Sequence, residues 1–185
     1  MSDIRVASRY AKSLLDLALE KGILEQVHQD MVLFTKTVKE NRDFELFLGN
    51  PIINHDKKLA VLRSLFTGKV SDLTLKFFLL LTQKNREAVL ASVATEFEKQ
   101  YNVLKGIAIA HVTTAVPLTP ELRTQLGQKV AQQTGKRIKL EEKVDPSLIG
   151  GLILRIGDIQ LDGSIRTNLR NLRSKFKENP YINKL

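Results

Sequence analysis

Residues 138–173 read IKLEEKVDPSLIGGLILRIGDIQLDGSIRTNLRNLR and form the most densely patterned part of the chain. Two short apolar runs, residues 152–156 and 159–161, flank the pair Gly157-Asp158. Glycine at the first position of a tight turn supplies the positive φ that such turns need. The stretch therefore predicts two short antiparallel strands joined at Gly157.

A basic amphipathic helix is predicted to follow this hairpin. Asp162-Gly163-Ser164 interrupts the strand and offers a helix N-cap. Apolar side chains then recur at helical spacing at Ile165, Leu169, Leu172 and Phe176. A basic stripe, formed by Arg166, Arg170 and Arg173, keeps the same spacing one residue later. Such a stripe is either a solvated helix face or a binding surface, and the residues alone leave both open.

The same residues carry a family resemblance. The pattern resembles the signature of the delta subunit of F-type ATP synthases, a family that includes the mitochondrial oligomycin-sensitivity-conferring protein. The first part of the match comprises Ile138, Leu140, Val144, Asp145, Leu148, Gly150, Gly151, Leu152, Leu154, Arg155 and Gly157. The second part comprises Gly157-Asp158 and Asp162-Gly163-Ser164-Ile165-Arg166. We expect seven residues of this signature to have structural roles: Gly150, Gly151, Arg155, Gly157, Asp158, Asp162 and Gly163.

Composition indicates a globular protein. The chain has 185 residues, of which 43% are hydrophobic and 26% charged, so disorder is not expected. It contains no cysteine, which excludes disulfides, thiolate zinc sites and cysteine nucleophiles. The net charge is +9. Residues 1–105 contribute 16 basic minus 13 acidic side chains, or +3, and residues 106–185 contribute 13 minus 7, or +6.

The chain changes character near residue 105. Before it, apolar residues recur every three or four positions, and Gly22, Asn50-Pro51, Gly68 and Gly106 interrupt them. This pattern predicts a six-helix bundle over residues 1–105. From Gly106 onward, strand-like runs alternate with helical ones, which predicts a small α/β domain of β-α-β-β-β-α order over residues 106–185. The expected fold class is α+β.

No membrane-spanning segment is expected. The longest apolar run, residues 77–81, has five residues, far fewer than the roughly 20 that a membrane helix needs. The N-terminus, Met1-Ser2-Asp3-Ile4-Arg5, enters an amphipathic pattern directly. It therefore shows neither a secretion signal nor an organelle import leader, and a bacterial cytosolic origin is the expectation.

No catalytic, cofactor-binding or metal-binding residues are predicted. Thr67-Gly68-Lys69-Val70 and Thr134-Gly135-Lys136-Arg137 both lack the earlier glycine and the hydroxyl of a phosphate-binding loop. Gly150-Gly151 is better explained by a bulge or close backbone packing than by a nucleotide loop. The three histidines lie on separate predicted elements and are expected to be solvated or hydrogen-bonded imidazoles.

Two interpretations of the helical surface remain open from the residues alone. Ala7, Tyr10, Ala11 and Leu14 recur on one face of the first helix, which favours bundle core. Small residues beside a tyrosine could also form a shallow groove for a partner helix. The fifth helix is apolar nearly all round at residues 73–81, so it is either central in the bundle or covered by a partner.

The resemblance implies a function and partners. Members of this family are non-catalytic stator subunits that link the catalytic head of the synthase to its membrane sector, so that rotation is coupled to ATP synthesis. The helical domain would bind the N-terminal helix of an alpha subunit between its first and fifth helices. On this chain the contacts would be Tyr10, Ala11, Leu14, Phe77 and Leu80.

The second domain would bind the b subunits of the peripheral stalk, with Arg166, Arg170 and Arg173 as candidate contacts. The expected location is peripheral, at the cytoplasmic face of the bacterial inner membrane. Membrane association would be indirect, through the complex, and nucleic acid would not be a partner. The alternative is an RNA-binding helical bundle, suggested by the charge of +9.

Overall fold

The computed structural model describes residues 2–177, which form helices and one four-stranded sheet. This confirms the α+β class. The contacts between α-carbons divide the chain after Lys105 into two compact units. Met1 and residues 178–185, the end of the predicted second domain, lie outside the described residues.

Unit 1 consists of helices. They are α1 (Ser2–Glu20), α2 (Leu24–Glu40), α3 (Arg42–Gly49), α4 (His55–Phe66), α5 (Asp72–Gln83) and α6 (Leu90–Leu104), with a 3₁₀ turn at Glu87–Val89 before α6. Three of the breaks, near Gly22, Asn50-Pro51 and Gly68, lie where the sequence predicts them. Gly22 follows α1 with φ of +67°, and the Ser71 hydroxyl caps α5 by accepting a hydrogen bond from the Thr74 amide.

An aromatic cluster forms the centre of unit 1. Phe34 of α2 lies 4.7 Å from Phe78 of α5 and 5.6 Å from Phe66 of α4, measured between ring centroids, and all three side chains are buried. On the other side, α1 packs on α6. Three alanines of α1, Ala7, Ala11 and Ala18, are fully buried.

Unit 2 is built on a mixed sheet. Its elements are β1 (Ile107–Thr114), α7 (Pro120–Thr134), β2 (Arg137–Val144), a 3₁₀ turn at Pro146–Leu148, β3 (Leu152–Ile156), β4 (Ile159–Asp162) and α8 (Ile165–Lys177). The strand order is β2-β1-β3-β4. Strands β1 and β2 are parallel, and the other two pairings are antiparallel.

The core of unit 2 lies under α7. Ala110 and Val112 of β1, Val130 of α7 and Leu154 of β3 form its buried centre. Successive residues of a strand point to opposite faces of the sheet. His111, between Ala110 and Val112 on β1, therefore lies on the face opposite the core. The predicted hairpin is present, with Ile156 paired to Ile159 and Gly157 at φ of +57° between them.

Helix α8 differs from the other amphipathic helices, because none of its described residues is buried. Its predicted apolar stripe is present, and the described residues of unit 2 leave it largely exposed. Ile165, Leu169 and Leu172 are each about half exposed, and Phe176 is 84% exposed. The helix is attached mainly through its first turn.

Candidate functional site

An apolar groove runs between α1 and α5 in unit 1. It has a volume of about 320 Å³. Its lining comprises Tyr10, Ser13, Leu14 and Leu17 from α1 and Leu73, Lys76, Phe77 and Leu80 from α5. Leu17 is 37% exposed and Leu80 is 48% exposed, whereas Leu14 is 1% exposed. The leucines at the rim are therefore open to solvent, and Leu14 forms the floor.

Two aromatic rings join the walls of the groove. Tyr10 of α1 and Phe77 of α5 meet edge to face, with ring centroids 6.5 Å apart and planes at 72°, an arrangement that aromatic quadrupoles favour. The Arg86 guanidinium lies 5.9 Å from the centroid of the Tyr10 ring, within the range of a cation–π contact. These contacts hold the ring of Tyr10 against α5.

Four of the five residues expected to bind a partner helix line this groove: Tyr10, Leu14, Phe77 and Leu80. The structure corrects the fifth. Ala11 is fully buried and does not line the groove, because it lies on the side of α1 that packs in the bundle. Sequence reasoning also missed Leu17 and Leu73. They lie three residues after Leu14 and four before Phe77, a spacing that could have identified them.

A buried carboxylate on α2 fixes the start of α5. Asp30 Oδ2 accepts hydrogen bonds from the Ser71 amide at 2.9 Å, the Ser71 hydroxyl at 2.7 Å and the Thr74 hydroxyl at 2.8 Å. The negative charge also lies at the positive end of the α5 helix dipole. Asp30 thus holds the end of α5 from which Leu73 enters the groove.

A buried ion pair fixes the chain just beyond the other end of α5. Lys58 Nζ of α4 donates to Glu87 Oε1 at 2.6 Å, and to the carbonyl oxygens of Leu48 at 3.0 Å and Asn50 at 2.7 Å. Lys58 is almost fully buried. Three acceptors around one ammonium compensate for its desolvation. Helix α5, one wall of the groove, is therefore bracketed by two buried polar networks.

Several signature residues make close local contacts in unit 2. A Cβ atom on Gly151, whose φ is +75°, would lie 2.3 Å from the Gly163 carbonyl oxygen, so two backbone segments meet there without side chains. Asp162 Oδ1 accepts from the Ser164 amide at 2.9 Å, and the Ser164 hydroxyl caps α8 through the Thr167 amide at 3.2 Å.

Two further signature residues lie in the β3–β4 hairpin. Arg155 Nε donates to the Gly157 carbonyl oxygen at 3.3 Å, which links the end of β3 to the turn. Asp158 is the second residue of that turn.

Basic side chains line one side of α8. Arg166 Nη1 donates to the Ser147 hydroxyl at 2.8 Å, which ties the first turn of the helix to the loop before β3. The pKa of Asp145 lies below its usual range, chiefly because its carboxylate accepts hydrogen bonds from Ser147 and also because Arg166 is near. Arg170 and Arg173 are exposed and available to a partner.

The described residues contain no group of three or more acidic, histidine or cysteine side chains that could hold a metal ion.

Two histidines contact neighbouring elements. His111 Nδ1 lies 3.3 Å from Glu141 Oε2 on the neighbouring strand. The His28 ring stacks on Tyr101 with centroids 3.8 Å apart. A hydrogen bond to the Glu25 carboxylate raises the pKa of Tyr101 to about 12. These contacts tie secondary-structure elements together.

Comparison with known proteins identifies the family. The model of the ATP synthase delta (OSCP) subunit family matches residues 6–176. ATP synthase subunit delta of Cytophaga hutchinsonii is 41% identical over 178 residues, covering 96% of this chain and 97% of the relative. Its counterpart in Christiangramia forsetii is 37% identical over the full length of both chains. This chain belongs to the ATP synthase delta (OSCP) subunit family.

The delta (OSCP) assignment agrees with a solved structure. A chain in the cryo-EM structure of the Toxoplasma gondii mitochondrial ATP synthase hexamer matches with a TM-score of 0.73 and 26% identity. The match covers 94% of this chain and 98% of that one. Family membership confirms the prediction of a non-catalytic peripheral-stalk subunit of an F-type ATP synthase. No helix among the described residues is long and apolar enough to cross a membrane.

Proposed function

We propose that this delta subunit joins the catalytic head to the b subunits of the peripheral stalk at the cytoplasmic face of a bacterial inner membrane. Residues 1–105 act as a six-helix bundle that holds the head, and residues 106–185 hold the stalk. Its membrane association is indirect, through these partners. A static link of this kind resists the drag of the rotating shaft, so that rotation drives ADP phosphorylation.

The apolar groove between α1 and α5 carries the head-binding part of this proposal. Its rim exposes Leu17 and Leu80 while Leu14 closes the floor. An amphipathic helix with apolar residues at positions i, i+3, i+4 and i+7 fits such a groove. Burying a leucine stabilises a contact by about 1.5–3 kcal/mol, so a few side chains suffice for a firm attachment. The proposed occupant is the N-terminal helix of an alpha subunit.

The exposed stripe of α8 supports the stalk-binding part. Its apolar side chains are uncovered within unit 2, and Arg166, Arg170 and Arg173 run beside them. A helix with this pattern gains stability by packing its apolar face against another helix. The b subunits supply such helices in this proposal.

A peptide from the N-terminus of the companion alpha subunit tests the groove. Leu17→Asp and Leu80→Asp place a charge in the rim without removing a buried residue. We expect each to weaken peptide binding at least about tenfold, measured by titration calorimetry, because an unpaired carboxylate would be desolvated on docking. Leu14 is a poorer target, since its replacement would disrupt the core.

The matched control is Leu46→Asp. Leu46 is 62% exposed on α3 and does not line the groove, so this variant should bind the peptide like the wild type. Equal binding by all three variants would contradict the groove assignment. The affinities for the peptide and for RNA, each measured at two salt concentrations, distinguish the RNA-binding alternative. RNA affinity falls steeply with salt, whereas the affinity of apolar docking changes little.

A further inference from the structure

Ile149 is an exposed isoleucine with a strained backbone. Its φ is +68° and its ψ is −39°, which lies outside the left-handed helical region that non-glycine residues sometimes occupy. Among the described residues, Asn85 is the other non-glycine residue with positive φ, and asparagine tolerates that conformation. Glycine would be less strained than isoleucine at this position, and so would a side chain without a β-branch.

The surrounding loop imposes this conformation. The Ile149 amide donates to the Pro146 carbonyl at 3.2 Å, and the Leu148 amide donates to the Asp145 carbonyl at 3.2 Å. The Leu148 side chain is fully buried, which anchors the loop immediately before Ile149. Strained residues persist where neighbouring contacts determine the backbone in this way, and they concentrate at functional sites.

The folded chain gains little from isoleucine at this position. The residue is 65% exposed, so most of its apolar surface remains in water. A strained residue that is also poorly buried stabilises neither the loop nor the core. A β-branched side chain held rigidly loses little entropy when a partner covers it, which points to a benefit outside the chain.

Ile149 lies in a loop that is tied to the first turn of α8. On one side, the Ser147 hydroxyl accepts a hydrogen bond from Arg166 at 2.8 Å. On the other side, the Gly150 carbonyl accepts one from the Ile165 amide at 3.0 Å. Both residues of α8 belong to its first turn. Hydrogen bonds from α8 to Ser147 and Gly150 therefore fix the chain on both sides of Ile149.

We propose that Ile149 is an anchor residue of the surface that binds the stalk, together with the stripe of α8. The occupant is an amphipathic helix whose apolar face covers Ile149 and Leu169 and whose flank is acidic. The acidic flank follows from charge complementarity with Arg166, Arg170 and Arg173. This inference rests on the proposed function, which assigns the α8 face to the b subunits.

Binding of the full chain to a purified, soluble dimer of the companion b subunit tests the anchor. Ile149→Asn removes the apolar side chain and relieves the backbone. We expect its melting temperature to rise and its dissociation constant for the dimer to increase at least about tenfold. Ile149→Met restores an apolar side chain without the β-branch, and its dissociation constant should stay within about threefold of the wild type.

The matched control is Ile52→Asn, since Ile52 is 90% exposed in unit 1 and lacks positive φ. It should leave binding unchanged and should not raise the melting temperature. A dissociation constant of Ile149→Asn close to that of the wild type overturns the inference, as does a lower melting temperature.

A Leu169→Asp variant separates the inference from the function on which it rests. If this variant loses binding and Ile149→Asn retains it, the anchor is wrong and the stalk surface stands. If the wild type itself does not bind the dimer, the proposed stalk function fails and the anchor fails with it.

Discussion

The carboxylate of Asp30 on α2 accepts a hydrogen bond from the backbone amide of Ser71, 41 residues later in the chain, at 2.9 Å. This bond and two others to the same oxygen connect the interior of the bundle to the first turn of α5. Because α5 forms one wall of the groove, the position of that wall depends on a residue that does not line it.

Replacing Asp30 should weaken both folding and peptide binding. We expect Asp30→Ala to lower the free energy of unfolding by about 2–4 kcal/mol, since it leaves the Ser71 amide and the buried Thr74 hydroxyl without their acceptor. Urea unfolding measures this loss. Under conditions where the variant remains folded, its affinity for the alpha-subunit peptide should also fall.

Val38→Ala is the matched control for Asp30→Ala. It removes buried atoms from the same helix at a cost of about 1–3 kcal/mol, but it leaves the contacts to α5 intact. This variant should lose stability and retain affinity. If both variants lose affinity equally, the effect follows general destabilisation, and Asp30 does not position the groove.

The ion pair between Lys58 and Glu87 predicts strongly unequal effects of single and double substitution. Lys58→Met leaves the Glu87 carboxylate buried without its partner and should destabilise the chain by about 3–5 kcal/mol. The double variant Lys58→Met, Glu87→Met should recover part of that loss, because neither charge remains, although the Leu48 and Asn50 carbonyl oxygens stay without their donor. Chemical unfolding of the four proteins in the cycle gives the coupling energy.

The exposed pair Lys36 and Glu40, whose charged atoms lie 3.7 Å apart, is the control for this cycle. Its coupling energy should be below about 1 kcal/mol, since water screens it. A coupling energy as small for Lys58 and Glu87 would show that the buried pair does not secure the chain after α5.

Local chemistry made much of the fold predictable from the sequence. Gly157 marks the hairpin, and Gly22, Asn50-Pro51 and Gly68 mark breaks between helices, because each depends on residues within a few positions. The signature segment 150–163 was also recognisable. The structure adds why position 151 needs glycine, since the backbone there closely approaches that of Gly163.

Contacts between distant residues were not predictable. The tie between Asp30 and α5 spans 41 positions, and no local pattern indicates it. The pattern of α1 left its apolar face open as either core or groove. In the structure Ala11 is fully buried, whereas Tyr10 and Leu17 line the groove. Periodicity shows that a helix has an apolar face, whereas the choice of neighbour depends on the whole bundle.

Glycine substitutions should separate backbone strain from steric conflict. Gly49→Ala has no positive φ and nothing within 4 Å of the new Cβ, whereas Gly157→Ala has φ of +57° with the same open space. Gly151→Ala combines φ of +75° with a backbone oxygen at 2.3 Å. We expect the free energy of unfolding to fall by about 0 kcal/mol for Gly49→Ala, about 1–2 kcal/mol for Gly157→Ala and about 2–5 kcal/mol for Gly151→Ala. Thermal or urea unfolding measures these losses. An equal loss for Gly157→Ala and Gly151→Ala would show that the Gly163 segment moves aside.

The hydrogen bonds of Asp162 predict an acid-dependent stability. Its pKa lies below the usual value, first because the Ser164 amide donates to it and further because of the Ser164 and Thr167 side chains and nearby Arg166. The folded state therefore binds fewer protons than the unfolded state near pH 4, the usual pKa of an aspartate. The stabilisation is present above that pH and is lost as the pH falls through the lower pKa of the folded state.

Asp162→Asn should flatten this dependence. We expect the wild-type melting temperature to fall more steeply than that of the variant between about pH 5 and pH 3, since the amide does not titrate. Asp158→Asn is the control, because it removes a carboxylate from the adjacent turn and leaves the bonds from Ser164 and Thr167 in place. It should keep the steeper slope. Parallel slopes for wild type and Asp162→Asn would mean that the acid sensitivity of the chain arises at other carboxylates.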